Sequence, residues 1–204
     1  MSWAMSPSRR DPRQQRSREM VDRVVEAAER VLQDVDYQQA STNRIAAAAG
    51  VSPGSVYQYF ADKDEIVEAV LTRMSDRLAG VIVPALHRAA PLDPASRTRV
   101  IVEAVIDALE GEAGLLRALI DRIPTIEQRQ AVNAIRARAE ETVYQSLAAM
   151  PGRVCDSELD RATWMIVELA SYLPVRYVLD RPPIAREAFV EDLVDLILRI
   201  GYGP

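Results

Sequence analysis

With 204 residues, 49% of them apolar, the chain is long enough to bury a core as one large or two small domains. Its formal net charge of −5 speaks against a nucleic-acid partner only if the charge is spread evenly, and it is not. Residues 1–18 hold five arginines against the single acid Asp11, while the acidic excess lies in 64–204. One cysteine, Cys155, excludes an internal disulfide and fits a reducing compartment, and with one histidine, His87, the usual ligands of a structural zinc site are lacking too. No apolar run approaches the ~20 residues needed to span a bilayer, and the N-terminus is charged where a signal peptide is apolar. A soluble cytoplasmic protein with no membrane partner is expected.

Residues 1–17 are polar, arginine-rich and aperiodic, and read as a flexible basic arm. It is either a solvated tail or a segment that tracks phosphates or enters a minor groove. From Arg18 to about Val35, the residues Val21, Val24, Val25, Ala28, Val31, Leu32 and Val35 follow the i, i+3, i+4, i+7 pattern of an amphipathic helix.

Ser41 to Phe60 reads as two short helices around a tight turn. Ser41 or Thr42 caps the first, Ile45 and Ala49 give it an apolar stripe, and Gly50 ends it with a positive φ. Ser52 caps the second and Pro53 takes its first turn. There Val56 and Phe60, four residues apart, face inward and leave Ser55, Tyr57, Gln58 and Tyr59 outside. A short helix with a polar outer face, held by the helix before it, is a geometry that enters a DNA major groove. Gly50-Val51-Ser52-Pro53-Gly54 also matches the nucleophile elbow of serine hydrolases, but that motif needs a preceding strand and a later histidine base. An alanine-rich helix precedes it here, so the match is read as accidental and no catalytic residue is assigned.

Ile45-Ala46, Ala49-Gly50-Val51-Ser52, Gly54, Val56-Tyr57, Tyr59-Phe60, Lys63 and Glu65 together resemble the signature of the tetracycline-repressor (TetR) family, over roughly residues 18–78. The resemblance implies that Thr42, Ser55, Tyr57, Tyr59 and Lys63 bind DNA phosphates and that Asn43, Arg44, Pro53 and Gly54 lie near base edges. Pro53 and Gly54 offer little hydrogen bonding, so base reading falls on Asn43, Arg44, Gln58 and Ser52. Asn and Gln suit adenine, and Arg suits guanine. Where the family usually has glycine before the aromatic that ends the first helix, this chain has Asp36 before Tyr37. Asp tolerates the left-handed conformation, and the turn is expected to survive.

Asp62 and Glu65 then form a capping-box-like pair that starts a connector helix, which Pro84 is expected to stop. Lys63, the only lysine of the chain, opposes the dipole of that helix, and a nearby phosphate supplies a reason for it. Five further helices are placed near 94–110, 112–122, 125–149, 157–180 and 184–200, divided by punctuation such as Pro91, Gly111, Pro124, Pro151-Gly152 and Pro182-Pro183. In 189–200 the polar side chains Glu191, Asp195 and Arg199 form one stripe with Asp192 beside it, and 164–179 is similarly apolar around Glu168, Ser171 and Arg176. A polar face that narrow calls for burial on two sides. A homodimer through the helices near 157–180 and 184–200 answers it, the alternative being that the chain covers both faces itself.

Trp164, Met165 and Tyr172 on one helix and Tyr144 on another are either core or lining. Pro174 is expected to kink their helix and open space. The resemblance implies a cavity for a small-molecule effector, which aromatics and a methionine would make largely apolar; Arg117 and Glu168 are candidate polar anchors, or else members of surface or interface ion pairs. The whole reads as all-α, about nine helices, with no cofactor or metal and no enzymatic activity. Residues 1–17 form the arm, 18–78 a three-helix helix-turn-helix domain that binds double-stranded operator DNA, and 79–204 a helical effector-binding and dimerisation domain. A DNA-binding regulator is expected, a repressor released by its effector. The alternatives are a helical binding protein or enzyme with a vestigial DNA-binding part, and an architectural DNA-binding protein without effector.

Overall fold

The computed structural model describes residues 12–35, 37–119, 130–149 and 156–202. Among these, nine helices and no strand are present. The chain forms two compact units that meet in sequence between Val70 and Leu71. That division and the one expected after residue 78 both fall inside one continuous helix, where no change of composition marks a border.

In the first unit α1 spans Pro12–Asp34, α2 Thr42–Ala49 and α3 Pro53–Val56. The stripe of α1 is buried at Val24, Val25, Ala28, Val31 and Leu32. It meets Ile45, Ala46 and Ala49 of α2, so each apolar face removes the other from water. Helix α1 begins at Pro12, six residues before the Arg18 start that the apolar period indicates. Proline's fixed φ suits a first turn, and the Gln and Arg residues that follow favour helix without contributing any apolar period. Asp36 lies outside the described residues.

Helix α4, Lys63–Ala89, runs through Pro84. The expected stop there is wrong. Ala85 and Ala89, beyond the proline, are fully buried and Leu86 nearly so, and this packing offsets the lost backbone bond. Helix α5 (Pro94–Gly111) is capped by Asp93, whose carboxylate accepts the N–H groups of Ala95 and Ser96. The Ser96 side chain and these backbone bonds hold the Asp93 carboxyl below its ordinary pKa. Next come α6 (Ala113–Ala118), α7 (Gln130–Ala148), α8 (Asp156–Asp180) and α9 (Arg186–Tyr202). The expected punctuation at Pro124 and Pro151-Gly152, and Cys155, fall outside the described residues.

The core of the second unit gathers Val102 and Ile106 of α5, Leu147 of α7, Leu159, Ala162 and Ile166 of α8, and Val190, Leu193, Val194 and Ile197 of α9. Gly201 sits where a Cβ would lie 3.2 Å from Leu147 and 3.3 Å from Ile166, a close approach of α9 to its neighbours. Arg181, at φ 49°, turns the chain after α8. The turn is held by Tyr177, which stacks on Phe189 and donates its hydroxyl to the Ile184 carbonyl at 3.0 Å. Helix α8 continues through Pro174.

Candidate nucleic-acid interface

Ser41, in extended backbone at φ −133°, caps α2 by accepting the Arg44 N–H at 3.2 Å. At the other end Gly50 takes φ 67° and its N–H returns to the carbonyls of Ala46 and Ala47. Ser52 then caps α3, accepting the Ser55 N–H at 3.1 Å, and its Oγ also lies 2.8 Å from that of Ser55. The regular part of α3 ends at Val56, but turns continue to Phe60, whose N–H donates to the Val56 carbonyl at 3.0 Å. Val56 and Phe60 are buried as the spacing requires.

With those apolar side chains turned in, one surface carries the exposed residues Asn43, Arg44, Ser52, Pro53, Gly54, Tyr57 and Gln58, with Thr42, Ser55 and Tyr59 half-buried beside them. Tyr57 is the most open of its aromatics at 56% exposure. Ser52 and Ser55 spend hydrogen-bonding capacity on each other, which leaves Asn43, Arg44 and Gln58 as the side chains with long, uncommitted polar ends on this surface. Tyr59 accepts a bond from Ser17 of α1 at 3.3 Å, so its own O–H remains available to donate. Ser17, to which the sequence assigns no part, thereby ties the start of α1 to the recognition turn.

Lys63 opens α4 in the expected first-turn position, between the Asp62 cap and the acidic pair Asp64 and Glu65. Asp62 accepts the Glu65 N–H at 2.9 Å and Glu65 accepts the Ala61 N–H at 2.6 Å, a reciprocal cap. The Lys63 ammonium donates to the Tyr37 carbonyl at 2.9 Å and stands 3.9 Å from the centre of the Tyr37 ring. The Tyr37 hydroxyl bonds the carboxylate of Asp64. A partner within the protein therefore accounts for this lysine as well, and the sequence signal for it is only the aromatic in the turn after α1.

The six side chains expected around an effector lie on three helices, α6, α7 and α8. Trp164, Met165 and Tyr172 are 59, 38 and 56% exposed on α8. Arg117 is exposed on α6. Glu168 forms an ion pair with Arg136 of α7. Tyr144 is half-buried against the core. Thr163 is buried with its hydroxyl lacking a partner among the described residues. The described residues hold no group of three or more His, Cys, Asp or Glu placed to bind a metal ion. None of their helices is long and apolar enough to cross a membrane.

Two family models match this chain. Residues 24–70 fit bacterial regulatory proteins of the tetR family, and residues 93–200 fit a tetracyclin repressor-like C-terminal domain. The chain is 31% identical over 171 residues to the HTH-type transcriptional activator FasR of Mycolicibacterium smegmatis, covering 82% of this chain and 76% of that protein. It is also 31% identical over 93 residues to the nucleoid occlusion factor SlmA of Actinobacillus pleuropneumoniae, 46% of this chain and 45% of that one. The fatty acid degradation regulator FadR from Bacillus halodurans shares the fold at a TM-score of 0.67 and 18% identity, over 94% of this chain and 97% of that chain.

Proposed function

This chain belongs to the tetR family of bacterial regulatory proteins, and we propose that it is a cytoplasmic homodimeric repressor that a small-molecule effector releases from its operator. DNA-binding transcriptional regulation is the function of the family, and the finer reading rests chiefly on the surface made by α2 and α3. There Asn43, Arg44 and Gln58 present hydrogen-bonding ends to base edges, with Pro53 and Gly54 allowing close approach. Thr42, Ser55, Tyr57, Tyr59 and Lys63 surround them as phosphate donors, and Ser52 chiefly serves as the cap. The protein acts by binding alone.

The exposed Trp164, Met165 and Tyr172 support a two-fold pairing through α8, since aromatic anchors of this size are the usual centres of an interface. Helix α9 joins at its edge through Leu196, 41% exposed, rather than through a broad apolar face. An effector in the C-terminal unit, near Tyr144, would displace α4 and with it the spacing of the two recognition surfaces. It acts only if it binds the DNA-incompetent state better, with a typical coupling of roughly 5–150-fold. Arg16 and Arg18, exposed on the first turns of α1, extend the phosphate-facing charge. A second reading, activation in place of repression, is favoured by the likeness to the transcriptional activator FasR.

Binding of the purified protein to its own upstream intergenic DNA over a salt series tests the reading. Sequence-selective binding that weakens steeply with salt is expected, because each phosphate contact releases counterions. Binding no tighter than to random duplex across the genome would sink it. A reporter driven from the bound promoter separates repression from activation by the sign of its response.

A further inference from the structure

We propose that Ser17 is a positioning residue for DNA binding, which occupies the accepting side of the Tyr59 hydroxyl and commits the phenol proton to a phosphate. This rests on the reading of Tyr59 as a phosphate donor and adds the residue that aims it.

Ser17 lies one turn before Met20 and Val21 and continues the stripe that leads to the buried Val24. It is half-buried while its neighbours Gln15, Arg16, Arg18 and Glu19 are exposed, so α1 turns it toward the body of its unit. A packing stripe usually takes an apolar side chain at such a position, and a serine there usually returns its proton to a carbonyl of the preceding turn. Ser75 of α4 does so, donating to the Leu71 carbonyl at 2.9 Å. The Ser17 hydroxyl instead donates to that of Tyr59 at 3.3 Å, across 42 positions of sequence.

The direction of that bond decides what Tyr59 can do. A phenol has one proton and accepts on the same oxygen. Were Tyr59 the donor of the pair, its proton would be committed inside the protein. With Ser17 donating, the proton stays free, and a hydroxyl that accepts a bond becomes a better donor in its turn. The bond also restrains the side chain of a half-buried tyrosine, so less ordering is left for the moment DNA arrives. Tyr57, two residues earlier, is the contrast. It is 56% exposed and has no such partner among the described residues. Of the two phenols assigned to phosphates, one is therefore aimed by α1 and the other is not.

The test uses the full chain and a duplex that the wild-type protein selects from a random pool, with affinity measured over a salt series. Tyr59→Phe is expected to weaken binding by about three- to ten-fold per subunit, the range of one hydrogen bond. Ser17→Ala suits a helix at least as well as serine does. It is expected to weaken binding by about two- to five-fold per subunit, a part of that same bond. Added to Tyr59→Phe, Ser17→Ala is expected to cost nothing further, because the hydroxyl it aims is gone. Added to Tyr57→Phe, it keeps its full effect. The salt slope separates aiming from scaffolding. Loss of a neutral bond leaves the slope unchanged, whereas fraying of the first turns of α1 would take Arg16 and Arg18 off the duplex and lower it. Wild-type affinity in Ser17→Ala, a lowered slope, or a full further loss on top of Tyr59→Phe would each overturn the inference while leaving Tyr59 on its phosphate. Unchanged affinity in Tyr59→Phe would overturn the phosphate assignment itself, and the inference with it.

Discussion

Gly50 holds φ 67° with nothing within 4 Å of where a Cβ would stand, so its need is conformational and not one of space. A β-carbon there meets its own backbone. Gly50→Ala is expected to cost about 1 kcal/mol, and Gly50→Asn less, because Asn visits this region more readily. In a chain of this size that is a fall of about 2–4 °C in Tm by calorimetry or circular dichroism. An unchanged Tm would show that α2 does not depend on this turn. The glycine was legible in the sequence because its role is local, and so were Ser41, Ser52 and Asp62, each a cap set by its own next three residues. Tyr37 was not. Its partners Lys63 and Asp64 lie 26 and 27 positions away, and no local pattern links them.

Helices whose apolar period was strong bury the faces that the sequence assigned them, although α1 starts earlier than its period indicates. The stripe of α1 and the pair Val56 and Phe60 are buried because only one face of each element can meet the core. One element misled. Pro84 sits inside α4, since packing beyond it outweighs what proline costs a helix, and that packing has no signature at the proline itself. In α9 the narrow polar stripe suggested two buried sides. Within the chain Val190, Leu193, Val194 and Ile197 are covered, and Leu196 stays exposed among Glu191, Asp192, Asp195 and Arg199. Apolar content says how much a helix must bury and leaves open against what. The early start of α1 brings its own expectation. Replacing Arg16 and Arg18 by alanine should lower the salt slope of DNA binding by up to about four for a dimer, without moving Tm. An unchanged slope would make this extension a solvated tail.

In the second unit Trp164 and Tyr172 stay more than half exposed, and the proposed dimer gives them a partner surface. If α8 is the seam of a two-fold dimer, glutamate at both positions places four like charges in one apolar patch, and the protein should sediment as a monomer at micromolar concentration. Binding to a two-half-site operator should then fall far more than binding to a single half-site, since the linked second contact is lost. A dimer that survives both substitutions would move the seam elsewhere. Trp164, Met165 and Tyr172 were visible in the sequence as a cluster, but periodicity could not say whether they faced a cavity, a core or another chain. Those three fates share one pattern of residues and differ only in what stands opposite.

The lone lysine has a practical corollary. A lysine-specific protease has one bond to cut in this chain, the one after Lys63, and it can reach that bond only when the side chain leaves Tyr37 and the first turn of α4 frays. The rate of that single cleavage is therefore a clock for local opening at the border of the recognition surface. It can be read on a gel, in the unmodified protein, before any operator or effector has been identified.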